Sequence, residues 1–242
     1  MDVVSFIIPN RNGKDLNHTI DNINTVYAAL NKEIIVVNQD DERPFMRGQC
    51  YNIGAKYSTG NFLALTDNDI YHLRCLPLFK IYAVYKCPII GFEAITQLTL
   101  DNGKPIYGVT EMRPLGFGAF TFLSKSDFAN ANGFSNLYIG WGAEDRDFIS
   151  RFDKYIRVPQ NLGHLTHPRR TNTNVHNTEL NHEFLKTAGN RNKMLDGMKQ
   201  TRWTEDAVER DGNILYVHVS SITVCNSFAY DKLLEQHYSI NT

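Results

Sequence analysis

The sequence predicts an α/β fold with a mostly parallel central sheet flanked by helices. Three observations predict it. The first third of the chain holds three short, almost continuously apolar runs, the pattern of strands buried on both faces. Segments with helical periodicity lie between them. The resulting strand–helix–strand–helix–strand order requires parallel pairing with right-handed crossovers.

Taken in order, Val3-Val4-Ser5-Phe6-Ile7-Ile8 is the first strand, and it ends at Pro9. Asn12 or Asp15 can cap the next helix, where Leu16, Ile20, Ile23, Tyr27 and Leu30 recur at helical spacing. Residues 33–38 (EIIVVN) are the second strand. Residues 46–57 form a helix with Gly54 as a weak spot. Residues 61–66 (NFLALT) are the third strand and run straight into Asp67-Asn68-Asp69.

The second half is less regular. Asp101-Asn102-Gly103 is a hairpin turn between strands at 93–100 and 105–109. Residues 118–123 are a strand, and Ser124 is the N-cap of a helix at 125–130. Gly140-Trp141-Gly142-Ala143 leads into a helix at 144–154. Residues 171–177 are polar and form a loop, 178–199 a helix, and 213–219 and 221–225 late strands. No repeat or low-complexity linker interrupts the chain, so one domain over 1–242 is expected. Two halves are distinguished within it, 1–100 and 101–242, the second with a C-terminal extension.

Composition narrows the classes. Of 242 residues, 42% are hydrophobic, enough for a sizeable core. The 25 basic and 26 acidic residues leave a net charge of -1, without the basic stripe of a nucleic-acid binder. No apolar run is long enough to span a bilayer. No basic segment precedes the first strand, so no signal peptide is expected. Cys50, Cys75, Cys87 and Cys225 form no C-x-x-C pair, and buried free thiols in a reducing compartment are the simplest reading. A cytoplasmic location follows, with a position at a membrane surface left open.

Four segments carry chemistry. Asp67-Asn68-Asp69 ends a central strand, where ligands of open α/β sheets bind. Carboxylates there can hold a divalent cation against a diphosphate, although Asp and Asn also simply make turns. Trp141-Gly142-Ala143-Glu144-Asp145-Arg146-Asp147 sets three acids at a helix start, which the macrodipole alone would favour. An indole between small residues also makes a platform for a sugar face. His164 and His167 can converge on one metal or be incidental, and Arg169 and Arg170 can meet phosphates or be solvated. Pro9-Asn10-Arg11-Asn12 lies where a base would sit, or is a plain turn.

Together these segments resemble the β-1,4-galactosyltransferase family and its bacterial and viral relatives. Ile8-Pro9-Asn10-Arg11-Asn12 is similar to the family's I-P-F-R-N, and Val37-Asn38-Gln39 to its V-I-N-Q. Phe45-Met46-Arg47 and Asn52-Ile53-Gly54 resemble F-N-R and N-V-G. Asp67-Asn68-Asp69 stands for D-V-D. Gly133-Phe134 and Trp141-Gly142-Ala143-Glu144-Asp145 resemble N-G-F and W-G-W-G-G-E-D-D-D. The order of the segments carries the resemblance.

The resemblance implies the GT-A fold and an inverting, metal-dependent transfer from a UDP-sugar donor to a carbohydrate acceptor, forming a β-glycosidic bond. It assigns Pro9, Arg11, Arg47, Asp67, Asn68, Asp69 and Trp141 to the donor, and Trp141, Glu144, Asp145 and Arg146 to the acceptor. Asp145 matches the catalytic base. Asp69, His164 and His167 match the ligands of Mn²⁺, or of Mg²⁺, since His164 replaces a methionine and is the harder ligand. Arg146 departs from an acid that the family uses on N-acetylglucosamine, which points to an acidic or phosphorylated acceptor. Gly116 stands where galactose-specific members carry a tyrosine. The room it leaves adds UDP-GalNAc and UDP-GlcNAc to UDP-Gal as candidate donors. The alternatives are a retaining N-acetylgalactosaminyltransferase, a catalytically inactive scaffold or sugar-binding partner, and a nucleotidyltransferase, for which the Gly-rich basic loop is missing.

Overall fold

The computed structural model describes residues 2–11, 13, 15–102, 104–112, 118–140, 142–166, 179, 181–183, 185–186 and 196–223. In chain order the elements are β1 (Val4–Asn10), α1 (Leu16–Val26), β2 (Lys32–Gln39), α2 (Arg47–Tyr57), β3 (Phe62–Thr66), β4 (Ile70–His72) and α3 (Leu78–Tyr85). There follow β5 (Ile89–Asp101), β6 (Lys104–Met112), β7 (Phe120–Ser124), α4 (Lys125–Asn130), α5 (Glu144–Ser150), β8 (Ile156–Leu165), β9 (Arg202–Asp211) and β10 (Ile214–Thr223).

The strands form one mixed sheet in the order β4-β8-β5-β7-β3-β1-β2-β10-β9, with β6 paired to β5. Strands β3-β1-β2-β10 are parallel, the first three being the continuous apolar runs, and β5 and β8 form a second parallel pair. Beyond β3 the pairing turns antiparallel through β7. The sheet therefore continues across both expected halves, and β10 from the second half completes the first.

The parallel strands are apolar throughout because both faces are covered. Phe6, Ile8, Ile34 and Val36 face one core with Ile20 and Ile23 of α1 and Tyr27 just beyond it. Ile35 and Val37 face another with Cys50 and Ile53 of α2 and Met46 just before it. Gly54, expected to weaken α2, is the point where the helix lies closest to the sheet. A Cβ there would stand 2.3 Å from Ile7 Cγ2, so only glycine allows the approach. Ser124 caps α4 as expected, its hydroxyl accepting from the Asp127 N–H at 3.0 Å. Asn102 takes the left-handed conformation (φ 48°) that a two-residue hairpin turn demands.

Several expectations need correction. Asp15 occupies the N-cap position of α1 but makes no side-chain cap bond. The helix at 144–154 stops at Ser150; Arg151 is its C-cap, and its guanidinium bonds the carbonyls of Gly133 and Asp196. The two late strands are one strand, β10. Ser221 is left-handed (φ 48°) and the register shifts nearby, which makes a continuous strand look divided. Strands β4, β8 and β9 and helix α3 are additional to the sequence reading. Strand β8 contains Pro159 and Gly163, and β9 is an exposed edge rich in charge, so neither shows an apolar pattern. The loop at 171–177 and most of 178–199 lie outside the described residues.

Candidate active site

Site residues come from four places: the ends of β1 and β2, the turn after β3, the start of α5, and the end of β8. Arg47, first residue of α2, joins two of them. Its Nε donates to Asp67 Oδ1 at 2.6 Å and its Nη1 to Glu144 Oε1 at 2.7 Å. Its Nη2 donates to the Gly118 carbonyl. Tyr51, one helical turn on, donates to the same Asp67 oxygen at 2.9 Å. The acid turn after β3 and the acid turn of α5 are thereby fastened through one guanidinium.

Burial decides the electrostatics here. Desolvation raises the Asp67 carboxyl to about 6, against the opposing pull of Arg47 and with a further push from Asp69. Burial also raises Glu144, again against Arg47. Asp145 is half-buried, and its Oδ2 would lie 2.9 Å from a Cβ on Gly118, as would Arg47 Nη2. Among the described residues, Asp67, Asp69, Glu144 and Asp145 with Arg47 between them leave an excess of negative charge.

The turn before α5 is strained. Gly140 (φ 73°), Gly142 (φ 112°) and Ala143 (φ 70°) are all left-handed, and for Ala143 that conformation costs about 1 kcal/mol or more. The Gly142 N–H donates to Glu144 Oε2 at 3.1 Å, so Glu144 holds its own turn as well as Arg47. Arg146 is exposed, its backbone N–H donating to Asp145 Oδ1. Asp147 turns inward to Arg151 at 2.9 Å.

The candidate metal ligands meet through the β4–β8 pairing. Ile70 faces His164, and the Leu165 N–H donates to the Asp69 carbonyl. His164 Nε2 stands 3.6 Å from Asp69 Oδ2, while its Nδ1 lies 3.3 Å from Gln97 Oε1. One cation with bonds of about 2.1 Å can bridge such a pair. The carboxylate and imidazole donors, and the surplus of negative charge, suit a divalent ion. His167 lies outside the described residues, as do Trp141, Gly116, Arg169 and Arg170.

Other sequence-assigned residues have structural partners. Pro9 is buried inside β1 opposite Val37. Arg11 is half-buried just beyond β1. Asn68 donates through Nδ2 to Asn10 Oδ1 at 2.9 Å, and its carbonyl accepts from Thr19. Sequence reasoning missed Tyr51 and Gln49, and picked out Asn52 in a motif without giving it a role. Gln49 donates to the Asn136 and Tyr138 carbonyls, and Asn52 exchanges two bonds of 2.8 Å with the backbone of Phe134. All three lie on α2 within two turns of Arg47, which was the available signal. Gly133 (φ 60°) lets the chain pass Asn52, whose Oδ1 would lie 2.2 Å from a Cβ there.

Comparisons with known proteins show what the chain is similar to. Residues 108–170 match the family described as the N-terminal domain of galactosyltransferase. Human beta-1,4-galactosyltransferase 4 is 27% identical over 227 residues, covering 90% of this chain and 62% of the relative. The xylosylprotein 4-beta-galactosyltransferase of Caenorhabditis elegans is 23% identical, covering 81% of this chain and 67% of that protein. The chain thus spans about three fifths of the length of the human relative. In structure, the catalytic domain of Drosophila beta1,4galactosyltransferase 7, in complex with xylobiose, superposes with a TM-score of 0.68 at 18% identity, covering 95% of this chain and 98% of that one. GalNAc-T7 with UDP, GalNAc and Mn²⁺ gives 0.60 at 14% identity, covering 75% and 47%. In its fold the chain is a GT-A protein, and in its matched segment and its relatives it is similar to the β-1,4-galactosyltransferases.

Proposed function

We propose that the protein is an inverting, metal-dependent glycosyltransferase that moves a hexose or N-acetylhexosamine from a UDP-sugar to a carbohydrate hydroxyl. The observation that carries this reading is the convergence on Arg47. It ties the Asp67-Asn68-Asp69 turn to the Glu144-Asp145 turn, as His164 meets Asp69 nearby. Two neighbours support it: one variant of the Drosophila enzyme was solved with manganese, UDP-Gal and xylobiose, and GalNAc-T7 with UDP, GalNAc and Mn²⁺.

Asp69 and His164, with His167 expected beside them, are the residues to hold Mn²⁺ or Mg²⁺. The ion would neutralise the diphosphate and make it a better leaving group. Asp145 takes the proton of the acceptor hydroxyl. It sits in the first turn of α5, where the helix dipole favours negative charge. Arg47 and Glu144 fix the distance between the donor turn and the base. Trp141 covers the sugar. The donor is UDP-Gal, UDP-GalNAc or UDP-GlcNAc. Gly116 would admit the N-acetyl group, while the relatives' names favour galactose. Arg146, exposed beside Asp145, is placed to meet an acidic or phosphorylated acceptor.

Asp145→Asn is the first test. It should keep metal-dependent UDP binding and lose transfer by at least about a hundredfold. Equal loss of binding and transfer would make Asp145 structural and sink the assignment. Product anomer analysis separates inversion from retention.

A further inference from the structure

A row of polar side chains runs across the carboxyl ends of the parallel strands, apart from the Arg47 cluster. Asn10 of β1, Asn38 of β2 and His218 of β10 occupy one register line, Asn38 facing both neighbours. Asn10 and Asn38 are buried, at 8% and 9% exposure. Every bond in the row has a direction. Gly13 N–H donates to Asn10 Oδ1 at 3.2 Å, and Asn68 Nδ2 donates to the same oxygen at 2.9 Å. Asn10 Nδ2 donates to Asn38 Oδ1 at 2.6 Å. Asn38 Nδ2 then faces His218 Nε2 at 3.4 Å, and His218 Nδ1 faces Asp40 Oδ2 at 2.8 Å.

A backbone N–H only donates, so Gly13 fixes Asn10 Oδ1 as acceptor. That orients Asn10 Nδ2 toward Asn38, and Asn38 Nδ2 toward the histidine. The end of the row must be an acceptor, which means a neutral imidazole with its proton on Nδ1, toward Asp40. Protonation of Nε2 would set two donors face to face. No flip of the amides relieves this, because the conflict only moves down to Gly13.

We infer that His218 is a positioning residue for donor binding, acting through the amide row on Gly13 and on Asn68 of the acid turn, and that it does so as the neutral imidazole. This rests on the UDP-sugar reading above. The outer end of the row is rigid. The Asp40 N–H donates to the Val219 carbonyl, the Ser221 N–H to Asp41, and Arg43 to the Ile222 carbonyl. The charged groups around His218 are Asp40 at the end of β2 and, on β9, Asp206 and Glu205, engaged by Ser220 and Tyr57. The residue opposite on β9 is Ala207.

The test compares wild type, His218→Gln and His218→Leu for UDP affinity with Mn²⁺ by calorimetry, beside ¹H–¹⁵N spectra without ligand. Glutamine can still accept from Asn38, and leucine cannot. At about pH 7.5, His218→Leu should weaken UDP binding about fivefold to tenfold, and His218→Gln should stay within about twofold. The Gly13 amide and the Asn10 and Asn68 side-chain amides should shift in His218→Leu and return in His218→Gln. Unaltered amides, or equal UDP affinity in all three proteins, would overturn the inference. Absence of UDP binding by the wild type would instead strike the UDP-sugar reading, and the spectra would still decide the row.

Discussion

The two sides of the site are held by opposite means. The donor side rests on β1, β2 and β3, whose inward residues are fully buried hydrocarbon packed by α1 and α2. The acid side, from Ala131 to Arg151, is pinned largely by buried polar groups. Arg151, 2% exposed, binds Asp147 and the carbonyls of Gly133 and Asp196. Asp196 in turn accepts from Ser135 and from the Asn136 N–H and side chain. Hydrocarbon packing tolerates small changes of shape, whereas a buried ion pair fails when one member is removed. The acid turn therefore depends on a few irreplaceable contacts, and the strand platform on many replaceable ones.

The sharpest way to break this contrast is Arg151→Ala. It leaves Asp147 charged and buried, and should cost about 3–5 kcal/mol in urea unfolding. A loss below about 1 kcal/mol would mean that the acid side is held by something else. The next effect tests a polar group on the apolar side, His72. It is buried among Phe6, Tyr27 and Phe120, and burial lowers its pKa to about 3. Below the unfolded pKa of about 6.5, the unfolded chain takes up a proton that the native state refuses. Stability contributed by neutral His72 is thus complete above pH 6.5 and falls by about 1.4 kcal/mol per pH unit toward pH 3. Denaturant titrations between about pH 6.5 and 5 should show this slope in the wild type and lose it in His72→Phe. The smallest effect is Ile35→Val, a methylene in the middle of β2, expected to cost about 1 kcal/mol. A cost as large as that of Arg151→Ala would erase the distinction.

The same contrast governs how much could be read from the sequence. Runs such as Ile34-Ile35-Val36-Val37 state their own burial, and the strand–helix order then fixes the parallel core. The segments of chemistry were legible because they fall at element ends: Asp67 to Asp69 after β3, Glu144 and Asp145 at the start of α5. What stayed hidden depends on pairing across distance. Nothing local in Ile156–Leu165 announces a strand, since its pattern is broken by Pro159 and Gly163. Only the sheet brings His164 to Asp69. Arg47 was read as a donor contact, yet it is satisfied by Asp67 and Glu144, the latter 97 positions away. Periodicity carries no information of that kind.

The place of β10 has a consequence for how the protein is made. Strands β1, β2 and β3 leave the ribosome early, but β2 receives its outer neighbour only from residues some 180 positions later. Until then the growing chain carries a bare, hydrogen-bond-hungry edge on a buried strand. Such an edge is a template for joining other chains. Synthesis that stalls before Ile214 should therefore yield aggregates, and the nascent protein should be a client of chaperones that shield open strands.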